Sequence, residues 1–118
     1  MKENNREKGS RYETMAALYL QKQGYRVLEK NYRRKTGEID LIALDGNCLV
    51  FVEVKYRKNN KKGEPKEAVT IQKQKRIWQT AQYYMVEKKL TENYPCRFDV
   101  ITFLGEEMQY LKNAFGGI

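Results

Sequence analysis

A chain of 118 residues, 41% hydrophobic and 32% charged, is long enough for one soluble domain with a modest core and too short for two. Lysine and arginine outnumber aspartate and glutamate by 23 to 15, and the resulting +8 suggests a polyanionic partner, nucleic acid ahead of an anionic membrane surface. There is no histidine, which excludes Ser-His and Cys-His nucleophile systems and leaves any catalysis to carboxylates, lysines, tyrosines or a bound metal.

The opening MKENNREKGS is polar and unlike a signal peptide, and no apolar run is long enough for a membrane helix, so a cytoplasmic protein with no membrane partner is expected. Residues 1–9 read as a flexible N-terminal arm ahead of a single domain over 10–118. Ser10 and Glu13 match a capping box, predicting a helix from Arg11 to Gln23 that Gly24 stops. Tyr12, Met15, Ala16 and Tyr19 recur along it at helical spacing. Tyr25 to Tyr32 predicts a strand leading into the basic stretch Arg33, Arg34 and Lys35.

A hairpin follows from Gly37 to Lys55, with Asp45-Gly46 as its turn signal. After it RKNNKKGEP, which holds Arg57, Lys58, Lys61 and Lys62, has the polar, Gly- and Pro-containing composition of a loop. Thr70 caps a second helix to about Leu90, with Ile77, Trp78, Ala81, Tyr84 and Met85 along one face. Lys73, Lys75 and Arg76 crowd its first turns, where the helix dipole disfavours cations; a nearby anion or an ordinary solvated face would each account for them. CRFDVITF forms a strand after Pro95, and Gly105-Glu106 turns into a last strand from Met108 to Lys112. Cys48 and Cys96 read as small core residues of strands, without the spacing of a zinc site. The order is αβββαββ.

The hairpin carries charges where burial would be costly. With Asp45 and Gly46 as central turn residues, one face holds Ile39, Leu41, Ala43, Cys48, Val50, Val52 and Val54 and belongs to the core. The other is apolar near the turn and carries Glu38, Asp40, Glu53 and Lys55 at its open end. In this register Asp40 and Glu53 are diagonal neighbours, about 5.5–8 Å apart at Cβ. Carboxylates so placed can converge on one divalent ion; oxygen ligands alone suit Mg²⁺ or Mn²⁺. A lysine beside the ion could hold water or stabilise a charged phosphate. A surface ladder of Glu–Lys pairs is the plain alternative.

Asp40 followed by Glu53-Val54-Lys55, with Glu13 on a preceding helix, resembles the D-x(n)-E-x-K arrangement of the restriction-endonuclease-like nucleases. GEIDLIA, FVEVKYR, a lysine on the following helix and RFDVI together resemble the YraN-like family of small bacterial proteins, from Tyr12 to Phe115. The resemblance implies an α/β fold with an αβββαβ core, a central mixed sheet flanked by helices. It also implies a nuclease related to archaeal Holliday junction resolvases. Asp40, Glu53 and the Val54 carbonyl match metal ligands, Lys55 the catalytic lysine, Glu13 the helix-one acid, and Lys73 a basic position suited to phosphate. Glu13 remains explicable as a cap, and Glu38 as a neighbour that tunes the site or as a ligand. Asp99 reads as structural, paired with Arg97 or a helix end. The expected partner is DNA, structured or branched rather than of one sequence. Arg33, Arg34, Lys35, Arg57, Lys58, Lys61, Lys62, Lys73 and Arg76 would contact it. A junction cutter needs two sites, hence a homodimer. A binding module without turnover, or an accessory protein of DNA repair or uptake, is the rival reading.

Overall fold

In the computed structural model, which describes residues 4–57 and 69–116, seven elements follow the predicted order. They are α1 (Asn5–Lys22), β1 (Arg26–Arg34), β2 (Gly37–Asp45), β3 (Cys48–Arg57), α2 (Ile71–Glu87), β4 (Cys96–Leu104) and β5 (Glu107–Phe115). One sheet contains the strands in the order β1-β2-β3-β4-β5. Neighbours are antiparallel except β3 and β4, which run parallel because α2 carries the chain back across the sheet. The mixed sheet flanked by helices is the architecture expected from the sequence.

Alternation along the central strands loads both faces with apolar side chains, so each face takes a helix. Tyr12, Ala16, Ala17 and Leu20 of α1 pack with Leu41, Ala43, Val50, Val52, Ile101 and Phe103. Ile77, Ala81, Tyr84 and Met85 of α2 pack on the other face with Ile42, Leu49, Phe51, Phe98 and Val100. Thr70 caps α2 as predicted, its hydroxyl accepting from the Lys73 N–H at 3.1 Å. Gly24 takes φ +91 just past α1, and the Tyr25 N–H returns to the Leu20 carbonyl.

Several local predictions are corrected. The cap of α1 is Asn4, not Ser10: its side chain accepts from the Glu7 N–H at 2.8 Å and donates to the Glu7 carboxylate at 3.2 Å. Residues 5–9 are therefore helical rather than an arm, and Glu13 has no capping role. Lys8, in one of the added turns, places its ammonium 4.2 Å from the Tyr56 ring centre.

The hairpin turn is Gly46-Asn47, not Asp45-Gly46, because Asp45 pairs with Cys48 as the last strand residue. The Arg97 guanidinium donates to the Asp45 carboxylate at 2.9 Å and so holds it in the strand. Gly46, at φ +60, takes the first turn position, where a two-residue turn of this hand needs glycine. Neither cysteine is a core residue: Cys96 is exposed and Cys48 half-buried. Asp99 is fully buried and structural as read, accepting from Arg97, Tyr110 and the Asn113 N–H.

Candidate active site

Moving the turn by one residue moves the register by two, so the parity of the faces is kept. Leu41 then pairs with Val52, and beyond that pair β2 and β3 have no further ladder partners. On the other side of β2, Lys30 pairs with Leu41 and Tyr32 with Ile39, and the ladder passes over Asn31 and Asp40 between them. Asn31 has φ +53, a left-handed conformation that breaks the pleat. Across the same step Ile39 packs in the α2 cluster while Leu41 packs in the α1 cluster, a correction to the single face predicted for both.

Asp40 occupies the gap so created. Its Oδ2 accepts the Val54 N–H at 2.8 Å. A strand's N–H groups lie in the plane of the sheet, so this carboxylate sits between the strands and is reachable from both faces. The N–H and carbonyl of one strand residue leave on the same side, and the Val54 carbonyl therefore opens on the same gap.

Glu53 and Asp40 are only 6% and 9% exposed. Burial first, then the hydrogen bond and charge of Glu53, push the Asp40 carboxyl up to about 8; the Val54 N–H and Lys73 pull the other way. Lys73 Nζ lies 3.2 Å from Glu53 Oε2. The β3–β4 ladder is unbroken from Leu49 to Arg57, so Glu53 and Lys55 leave β3 from one face. Lys55 is exposed and makes no side-chain ion pair or hydrogen bond among the described residues.

Glu13 approaches from α1. Its carboxyl is raised, by burial first and by the Asp40 charge next, while the Asn31 side chain hydrogen-bonds it and favours the ionised form. With the capping role gone, its polar surroundings are this site. Glu38 also faces Glu13 electrostatically but is taken up by Arg33 at 3.2 Å. Among the described residues no group of three or more His, Cys, Asp or Glu forms a metal cluster. Two buried carboxylates and a backbone carbonyl fit a hard divalent ion that keeps several waters or takes phosphate oxygens.

The predicted cationic residues divide. α2 docks on the β1–β2 turn at Gly37, whose φ is +150 and whose missing Cβ would lie 3.4 Å from Thr80 Oγ1 and 3.5 Å from Arg76 Cβ. The Thr36 and Thr80 hydroxyls bond at 2.7 Å across this contact. That docking gathers Arg33, Lys35, Lys73 and Arg76 near the open end of β2 and β3. Arg34 is turned away: its guanidinium grips Glu87 at 3.0 and 2.9 Å, and the Tyr32 hydroxyl donates to the same carboxylate. It ties β1 to α2. Arg57 is half-buried at the end of β3. Lys58, Lys61 and Lys62 lie outside the described residues. Sequence reasoning missed Asn31, and also Lys8 and Arg11, whose cations lie over Tyr56 and Tyr12, two rings stacked at 4.6 Å. The Asn4-x-x-Glu7 pattern was the signal that would have put Lys8 on a helix.

Residues 12–103 match the family described as Uncharacterised protein family UPF0102, a span that holds Glu13, Asp40, Glu53, Lys55 and Lys73. A UPF0102 protein of Lachnoclostridium phytofermentans is 54% identical over 112 residues, 95% of either chain. One of Pseudoalteromonas translucida is 46% identical over 96% of this chain and 94% of its own. One of Fusobacterium nucleatum is 44% identical over 97% and 95%.

Proposed function

The chain belongs to the uncharacterised protein family UPF0102, the YraN-like family, and we propose that it is a metal-dependent nuclease hydrolysing phosphodiester bonds in structured or branched DNA. The observation that carries this reading is the buried pair Asp40 and Glu53 at the open end of β2 and β3, with Lys55 exposed on the Glu53 face and without an ion-pair partner among the described residues. A protein with no use for the pair would keep two carboxyl groups crowded together and away from water, one of them held to its proton, at a cost in stability.

Asp40, Glu53 and the Val54 carbonyl would hold Mg²⁺ or Mn²⁺, which when bound supplies charge stabilisation at phosphorus and a more acidic water. Lys55 can reach the phosphate from the Glu53 face, hold the attacking water by hydrogen bond and neutralise the oxygens that gain charge. Glu13, with its raised proton affinity, is suited to orient a water on the α1 side. Arg33, Lys35, Lys73 and Arg76 bind backbone phosphates next to the reacting one and read no base, which favours shape over sequence as the determinant. Resolution of a branched substrate requires two cuts, and the proposal therefore includes a homodimer.

One observation favours the rival reading, a DNA-binding module on the same scaffold: Lys73 neutralises Glu53 without any metal. Cleavage assays in Mg²⁺ and in Mn²⁺ on branched, single-stranded and duplex DNA decide between them. The nuclease cuts at least one of these, and Lys55→Ala abolishes cutting while DNA binding persists. Binding without cleavage across the panel would favour the module.

A further inference from the structure

We propose that Lys73 is a built-in counter-ion. It stands in the divalent ion's place in the metal-free protein and is released to a DNA phosphate when the ion binds, so metal and DNA reinforce each other. This rests on the nuclease reading above and adds a coupling to it.

Lys73 Nζ sits 3.2 Å from the buried Glu53 carboxylate, and its charge is felt at Asp40 as well. A single ammonium thus serves both acids that would hold the ion. The residue is anchored at its base, while its side chain is partly open to solvent. Its N–H is bonded to the Thr70 cap at 3.1 Å, while 42% of its side chain is exposed. A divalent cation bound at the same carboxylate repels the ammonium and withdraws the charge that holds it, which favours its release. A lysine stem has four carbons and can carry the displaced charge outward without moving the helix.

Where the released ammonium goes follows from its surroundings. The first turn of α2 has no acidic residue to capture it, and its neighbours Lys75 and Arg76 repel it. Helix N-termini favour anions, and a phosphate joining the ion would satisfy the helix end and Lys73 together. In the metal-free state the ammonium is spent on Glu53 and contributes little to DNA.

The test is calorimetric titration of Mn²⁺ into the wild-type chain and Lys73→Met, which keeps the stem and removes the charge. DNA binding is then measured against salt in Ca²⁺ and in EDTA. Lys73→Met should bind Mn²⁺ about fivefold tighter or more, since the competing pair is gone. In Ca²⁺ its log K against log salt slope should be shallower than wild type by about 1, and in EDTA the two slopes should coincide. A merely structural lysine would predict weaker, not tighter, metal binding on its removal. If wild type binds Mn²⁺ and Lys73→Met binds it no tighter, the counter-ion role is overturned and the nuclease reading stands. If neither protein binds Mn²⁺, both fail together.

Discussion

Asp40→Asn in the metal-free protein isolates the energetic consequence of pairing two carboxylates. The ordinary aspartate value in an unfolded chain is about 3.9, whereas burial and Glu53 push Asp40 up to about 8 in the folded protein. Between those values the folded state binds a proton that the unfolded state does not, so stability falls as pH rises. The loss is absent below about 4 and complete above about 8. At roughly 1.4 kcal/mol per unit the full shift would correspond to a ceiling of about 6 kcal/mol. An effective dielectric near 20 inside the protein reduces this to the order of 2–4 kcal/mol. Asparagine keeps an acceptor for the Val54 N–H and removes the charge. Urea unfolding in EDTA at pH 5 and at pH 9 measures the difference. Wild type and Asp40→Asn should unfold at closer midpoints at pH 5. At pH 9 the variant should be the more stable, by about 2 M urea if m is near 1.5 kcal/mol/M. Glu13 is raised too and leaves a weaker slope of the same sign in both proteins. Parallel stability–pH curves would show that Asp40 pays no penalty for its place, and the argument for a cation site would lose its physical basis.

Lys55→Ala should leave unfolding and Mn²⁺ affinity near wild type while cleavage falls by about 10² or more, since the exposed lysine acts on charge that develops in the transition state. Gly37→Ala should destabilise the protein by about 1–3 kcal/mol in urea unfolding, because φ +150 strains an alanine, while its Cβ would make only ordinary contact with Thr80 and Arg76. Arg34→Ala should lower Tm while leaving the salt dependence of DNA binding unchanged, and Arg33→Ala or Lys35→Ala should do the reverse, each removing about one unit of slope. Equal slope losses for all three would mean that Arg34 leaves Glu87 to bind phosphate.

The features legible in the chain depend on residues close together in it. Alternation through Leu41, Ile42 and Ala43 and through Leu49 to Val52 needs only strand periodicity, and the Thr70 cap and Gly24 stop need only a helical turn. Even the nearness of Asp40 and Glu53 survived a misplaced turn, because a register moved by two keeps them on adjacent strands at the same end. Contacts between distant residues decided the rest. Arg97, 52 residues from Asp45, drew that aspartate out of the turn and into the strand. Glu87, 53 residues from Arg34, took a cation that its sequence neighbours Arg33 and Lys35 leave exposed. Opposite the left-handed Asn31, Ile39 and Leu41 go to opposite faces and Asp40 bonds the Val54 N–H, a break in alternation that periodicity does not signal. Periodicity assigns a side chain to a face; whether its charge is free, paired or desolvated there depends on which groups the packed helices bring alongside, as α2 brings Lys73 to Glu53.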